Sequence, residues 1–164
     1  MRVGASTFIW VSPFSNKTVG LIDRVKAFGF DLIEICVEDP ETIDVAAIGA
    51  RAKSVGIEVT VCGAFGSDRD LSAEDERTRQ AGLSYLRRCV DYAAALGSPF
   101  VSGPMYSAVG KTRLLDAPER RRQWDLAVAS LREAAGHAAE RGVRLAIEPL
   151  NRFETDLVNT VDQG

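Results

Sequence analysis

The sequence predicts an α/β fold of parallel strands joined by helical crossovers, built on the plan of a (β/α)8 barrel. Three observations lead there. Five short β-rich apolar runs alternate with four amphipathic helical stretches, the pattern of repeated βα units. The turn after the first strand reads Ser6-Thr7-Phe8-Ile9-Trp10, with no G-x-G-x-x-G, so the open doubly wound sheet lacks its usual phosphate-binding signature. Longer loops follow strands one, three and four, the end of the sheet where a barrel builds its active site.

Arg2 to Phe8 is the first strand. A Ser/Pro/Asn loop leads to an amphipathic helix from Thr18 to Phe28, with Thr18 as its cap and Gly29 as its stop. Leu32 to Val37 is the second strand, whose alternation turns Glu34 inward while Ile33 and Ile35 meet the helices. A helical pattern from Asp44 to Ser54 stops at Gly56, and Ile57 to Cys62 is the third strand. Ser72 followed by Asp75 resembles a capping box that opens a long helix reaching Leu96, ended by Gly97 and Pro99. Phe100 to Ser102 is the fourth strand, and a helix from Pro118 to Arg141 ends at Gly142. In the fifth strand, Val143 to Glu148, Val143, Leu145 and Ile147 share the helix-facing side. Arg144, Ala146 and Glu148 point inward, with Glu148 in the mouth.

Composition narrows the partners. With 46% hydrophobic and 26% charged residues among 164, the chain has the balance of a globular domain with a real core. No apolar run approaches the ~20 residues that cross a bilayer, and Met1 to Trp10 lack the pattern of a signal peptide. A cytoplasmic protein with no membrane partner is expected. Cys36, Cys62 and Cys89 are odd in number and show no C-x-x-C spacing, which favours reduced buried thiols over disulfides or a thiolate zinc site. A net charge of -3 gives no electrostatic reason for a nucleic-acid partner, so a small molecule is expected.

The segment Arg144-Leu-Ala-Ile-Glu-Pro-Leu-Asn-Arg-Phe-Glu154 carries the strongest functional signal. A buried strand that delivers an acid to its C-terminal tip is how a parallel α/β enzyme presents a catalytic group or metal ligand. The bland reading of Glu148 is a salt bridge at the loop entry, and Arg152 is placed to neutralise Glu154. Glu34 reads either as a substrate contact or as a structural polar group. Trp10, Phe8 and Tyr106 are candidates to line a ligand pocket or plain packing. Cys62 reads either as a substrate contact at the rim of strand three or, more simply, as an inert buried thiol. His137 and the run Arg120-Arg-Arg122 read as solvated helix residues.

Ile147-Glu-Pro-Leu-Asn-Arg-Phe-Glu154 with Leu157-Val-Asn-Thr160, Glu34 on strand two, Cys62-Gly63, the helix entry Asp70-Leu-Ser-Ala-Glu-Asp75 and Gly142-Val-Arg-Leu145 together resemble a known family. It is that of the TIM barrels similar to xylose isomerase, and within them the ketose 3-epimerases acting on D-tagatose, D-psicose and related sugars. The resemblance runs from Val3-Gly4 to the end of the chain. It implies metal-dependent epimerisation of a ketose at C3 through an enediolate, with Glu148 as metal ligand and acid/base and Glu154 holding the sugar. Glu34, Cys62 and Trp10 are the further substrate-binding candidates. The implied cofactor is Mn2+, with Mg2+ or Co2+ as alternatives, because an oxygen-rich site suits a hard cation.

The resemblance also implies three further metal ligands, an aspartate, a histidine and a glutamate, from strands six to eight. A full barrel takes about 250 residues, and this chain reaches Gly164 as a Thr160-capped helix begins. The expectation is a single domain over residues 1–164, the N-terminal portion of the barrel truncated after strand five and inactive alone. The complete enzyme is expected to be a homodimer or homotetramer. Alternatives are another isomerase of the superfamily, acting on hydroxypyruvate, an inosose or a ketose phosphate, and a non-catalytic half-barrel. An apurinic endonuclease on the same barrel needs more histidine than His137 supplies.

Overall fold

The computed structural model describes residues 1–164. Five parallel strands form one sheet in chain order: β1 (Gly4–Ser6), β2 (Leu32–Val37), β3 (Glu58–Gly63), β4 (Phe100–Gly103) and β5 (Arg144–Ile147). The crossovers carry α1 (Leu21–Ala27), α2 (Val45–Val55), α3 (Glu76–Leu96) and α4 (Ala117–Glu140). Every crossover returns the chain beside the strand just completed, so the strand order nowhere reverses. A doubly wound sheet requires such a reversal, and that alternative is excluded. β1 and β5 are open edges. No helix is long and apolar enough to cross a membrane.

The strand alternation separates two environments. Ile33, Ile35, Val59, Val61 and Val101 are buried under the helices, where they meet Ile22, Val25, Ile48, Leu83, Leu86 and Val90. The other face carries the register partners Glu34 and Thr60, and the row Cys36, Cys62, Ser102 and Ala146. Apolar burial on one face thus fixes which polar side chains the other presents.

Local signals set the helix ends, with some shifts from expectation. Asp44, Asp75 and Asp116 cap α2, α3 and α4 by accepting from the backbone N–H groups of Ala47, Thr78 and Glu119. Asp75 is therefore the cap itself. Ser72 instead donates its N–H and hydroxyl to Asp70 Oδ1 at 2.8 and 2.7 Å. Thr18 does not cap α1. It lies in a 3-10 turn, Asn16–Thr18, where its hydroxyl accepts from Ser15 N. The first strand ends at Ser6 because Thr7–Ile9 winds into another 3-10 turn. Gly56 and Gly97 end α2 and α3 in the left-handed conformation. Around Thr160 the chain makes a single turn, with Gly164 N donating to Thr160 O at 3.2 Å, rather than a helix.

Candidate active site

Glu148 stands one residue beyond β5, and its N–H still donates to Gly103 O of β4 at 3.0 Å. The sheet thus sets the backbone from which its carboxylate projects. The loop after it is pinned from behind. The Tyr106 hydroxyl donates to Val158 O at 2.9 Å and accepts from Leu150 N at 3.2 Å, and Arg120 donates to Leu157 O at 2.8 Å. Tyr106 is buried with Ala127, Leu157 and Val158, so its role is packing and loop support. Arg120 is a loop anchor, whereas Arg121 pairs with Asp125 on the exposed helix face.

Asn151 organises the tip of this loop. Its side-chain oxygen accepts from Phe153 N at 2.9 Å, and its amide donates to Glu154 Oε2. Gly110 N holds the Glu154 carbonyl at 2.8 Å. Arg152, expected to neutralise Glu154, makes no ion pair, and Asn151 takes that place. Two further loops join the frame. Lys111, after β4, donates to Asp70 Oδ2 and Ser72 Oγ at 2.7 and 2.6 Å, and it also bridges to Thr155 after β5.

A cavity of about 680 Å3 opens at the C-terminal ends of the strands, and Glu34, Cys62, Glu148 and Glu154 all line it. Its size suits a small organic ligand. A second cavity of about 710 Å3 lies toward the opposite strand ends, by Gly4, Gly97 and Phe100. Its only carboxylates are Glu34 and Glu58, and Glu58 is paired with Arg2. The chemistry therefore favours the first cavity, at the end where parallel α/β folds place their sites.

Electrostatics single out Glu148. Burial, then the charges of Glu34 and Glu154, raise its carboxyl above the ordinary carboxylate range. No side-chain hydrogen bond occupies it, while Ser102 Oγ donates to Glu34 Oε2 at 2.9 Å. An acid with free lone pairs and anionic neighbours fits a hard cation, so Glu148 could supply one oxygen ligand to such an ion. No aspartate or histidine lines the cavity beside it.

Sequence reasoning missed Glu38 and Arg69. Glu38 continues the two-residue alternation of Glu34 and Cys36, so its signal was present. It accepts from Ser12 Oγ at 2.6 Å through one oxygen, and its other oxygen is buried without a partner. Arg69 comes from an irregular loop with no such signal. It donates to Glu38 O at 3.0 Å and stacks over the Tyr85 ring at 4.5 Å. Trp10 is not brought to the cavity. It stacks on Phe28 with ring centroids 6.1 Å apart, and Phe8 takes the lining position instead. His137 is not solvated as expected, since its Nε2 lies 3.0 Å from Asp91 of α3.

Comparisons with known proteins agree with this fold. The family model described as "Xylose isomerase-like TIM barrel" matches residues 22–164. An L-ribulose 3-epimerase of Mesorhizobium japonicum is 32% identical over 164 residues, covering 99% of this chain and 54% of the relative. A D-psicose 3-epimerase of Agrobacterium fabrum is 28% identical, covering 100% and 57%. A solved structure of L-ribulose 3-epimerase superposes with a TM-score of 0.89 at 29% identity, over 99% of this chain and 54% of that one. The chain spans about half the length of the curated relatives it matches.

Proposed function

The chain belongs to the xylose isomerase-like TIM barrel family, and from that membership we propose that it serves the epimerisation of a ketose sugar at C3. The observation that carries the reading is the convergence of Glu148, Glu154 and Glu34 on one sugar-sized cavity. Relatives named as L-ribulose and D-psicose 3-epimerases support the substrate class.

In this mechanism Glu148 is the base. Its carboxylate lines the cavity with no side-chain hydrogen bond between it and a substrate proton. It takes the proton from C3 and leaves an enediolate. Glu154, held by Asn151, accepts hydrogen bonds from sugar hydroxyls and orients the reacting end. Glu34, fixed by Ser102, and Cys62 are further contacts on the cavity floor. The half-exposed ring of Phe8 offers a face to the C–H side of the sugar. A divalent cation bound by Glu148, manganese with magnesium or cobalt as alternatives, supplies positive charge where negative charge develops on the substrate.

Residues 1–164 are, on this reading, the β1-to-β5 arc of an eight-stranded barrel. The remaining metal ligands and the group that returns the proton on the opposite face of the sugar belong to the rest of that barrel. The isolated chain is expected not to epimerise D-fructose, D-psicose or D-tagatose. The test supplies the C-terminal half of the Mesorhizobium relative in trans and follows deuterium incorporation at C3 in D2O with Mn2+ present. Turnover is expected from the mixture, falling by about 100-fold or more with Glu148→Gln. Turnover from the isolated chain, or a mixture indifferent to Glu148→Gln, would overturn the reading.

A further inference from the structure

Spacing along the chain gives Cys36 and Cys62 no relation, yet the β2–β3 register makes them direct partners. Both thiols lie on the polar face, and Glu34 stands one pleat away on β2. The two sulfurs and a Glu34 carboxylate oxygen all lie within 4.8 Å of one another. We propose that Glu34, Cys36 and Cys62 form a binding site for a thiophilic divalent cation of the zinc class, in the floor of the cavity.

The geometry is close to what such an ion needs. Tetrahedral zinc with its usual bonds holds two thiolates about 3.8 Å apart and a thiolate and a carboxylate oxygen about 3.5 Å apart, so closure of about 1.3 Å at most is required. Rotation of two short side chains supplies it. The supporting groups are in place, with Ser102 Oγ donating to Glu34 Oε2 at 2.9 Å and Ser6 Oγ 3.4 Å from Cys36 Sγ. Glu34 and Cys62 line the cavity, which gives the ion its entry path and leaves a fourth position facing solvent or ligand.

Buried cysteines are ordinarily inert, and Cys89, enclosed among the core residues of α3, is that case. Cys36 and Cys62 differ because they face each other and a carboxylate. Each thiol gives up one proton when the cation binds, so one M2+ displaces two H+. With the Glu34 carboxylate as third ligand, the occupied site carries one net negative charge. Soft thiolates select zinc-class ions over manganese or magnesium, so this cluster is not suited to the hard cation assigned to Glu148. Its occupancy would immobilise Glu34 and Cys62 and narrow the cavity.

The test is a Co2+ titration of the reduced, folded chain, followed by Zn2+ competition. The expected result is one equivalent bound with a thiolate-to-cobalt charge-transfer band, displaced by Zn2+ and unaffected by excess Mn2+. Cys36→Ala and Cys62→Ala each abolish the band and weaken Zn2+ binding by about 100-fold or more, Glu34→Gln weakens it by about 10-fold, and Cys89→Ala changes nothing. Should a variant fail to fold, the wild-type chain decides the matter through protection of two thiols from a disulfide reagent by one equivalent of Zn2+. A folded wild type with neither band nor protection overturns the proposal. So does a band that survives both cysteine substitutions, or a pair that only oxidises to a disulfide and takes up no metal when reduced.

Discussion

The Ser102 hydroxyl on β4 donates to the Glu34 carboxylate on β2 at 2.9 Å, spanning the intervening β3. Side chains two strands apart meet only where the sheet curls strongly toward its polar face. Ser102 Oγ also lies 3.3 Å from Val61 O of β3, a longer, competing acceptor for its single proton. Ser102→Ala is expected to cost about 1.5 kcal/mol, the low end for a hydrogen bond to a charged group because the site is only partly buried. A lower urea midpoint at unchanged slope would show it.

Ionisation of Glu148 works against the fold. Its folded-state pKa is raised by burial and by Glu34 and Glu154, so the folded chain holds this proton more tightly than the unfolded chain does. The associated stability is fully present below the ordinary glutamate value of about 4.3, and it is lost as pH rises through the folded value. Glu148→Gln removes this loss. Its melting temperature is expected to exceed that of the wild type at pH 7, with the advantage vanishing toward pH 4 in thermal scans across that range.

Lys111 and Asp70 form a 2.7 Å ion pair whose side chains are only 18% and 6% exposed. Lys111→Met leaves the Asp70 charge buried with Ser72 as its remaining partner, at an expected cost of about 3 kcal/mol. Adding Asp70→Asn removes the stranded charge and should recover part of that loss. A double-mutant cycle in denaturant measures the coupling.

Two helical glycines are expected to respond in opposite directions. A Cβ on Gly82 of α3 would meet Leu71 Cδ2 at 2.8 Å and Arg69 O at 3.0 Å, whereas one on Gly136 of α4 meets nothing within 4 Å. Gly136→Ala should stabilise by about 0.5–1 kcal/mol. Gly82→Ala gains the same helix propensity but must move the loop bearing Arg69, so a net loss of about 1 kcal/mol or more is expected. Paired thermal melts test the contrast.

Legibility from sequence followed the range of the interactions. β2 was readable to the residue because it is a short β-rich apolar run, and Asp44, Gly56 and Gly97 are short-range signals whose geometry depends on their immediate neighbours. The position of Glu148 was readable because it directly follows the apolar run of β5. Trp10 was misplaced because Phe28, its stacking partner, lies on α1, and nothing local predicts that contact. The same holds for Asn151 displacing Arg152 at Glu154, and for His137 meeting Asp91. Cys36 and Cys62 looked unrelated until strand register joined residues 26 apart, a distance counted from their positions in the chain.

The sheet order β1-β2-β3-β4-β5 has a consequence for synthesis. Each new strand pairs with the one most recently made, so no strand has to wait for a distant partner or insert between two formed neighbours. The chain can therefore add βα units at one growing edge as it leaves the ribosome. Glu34 and Cys62 would be set in place before the residues around Glu148 have been translated.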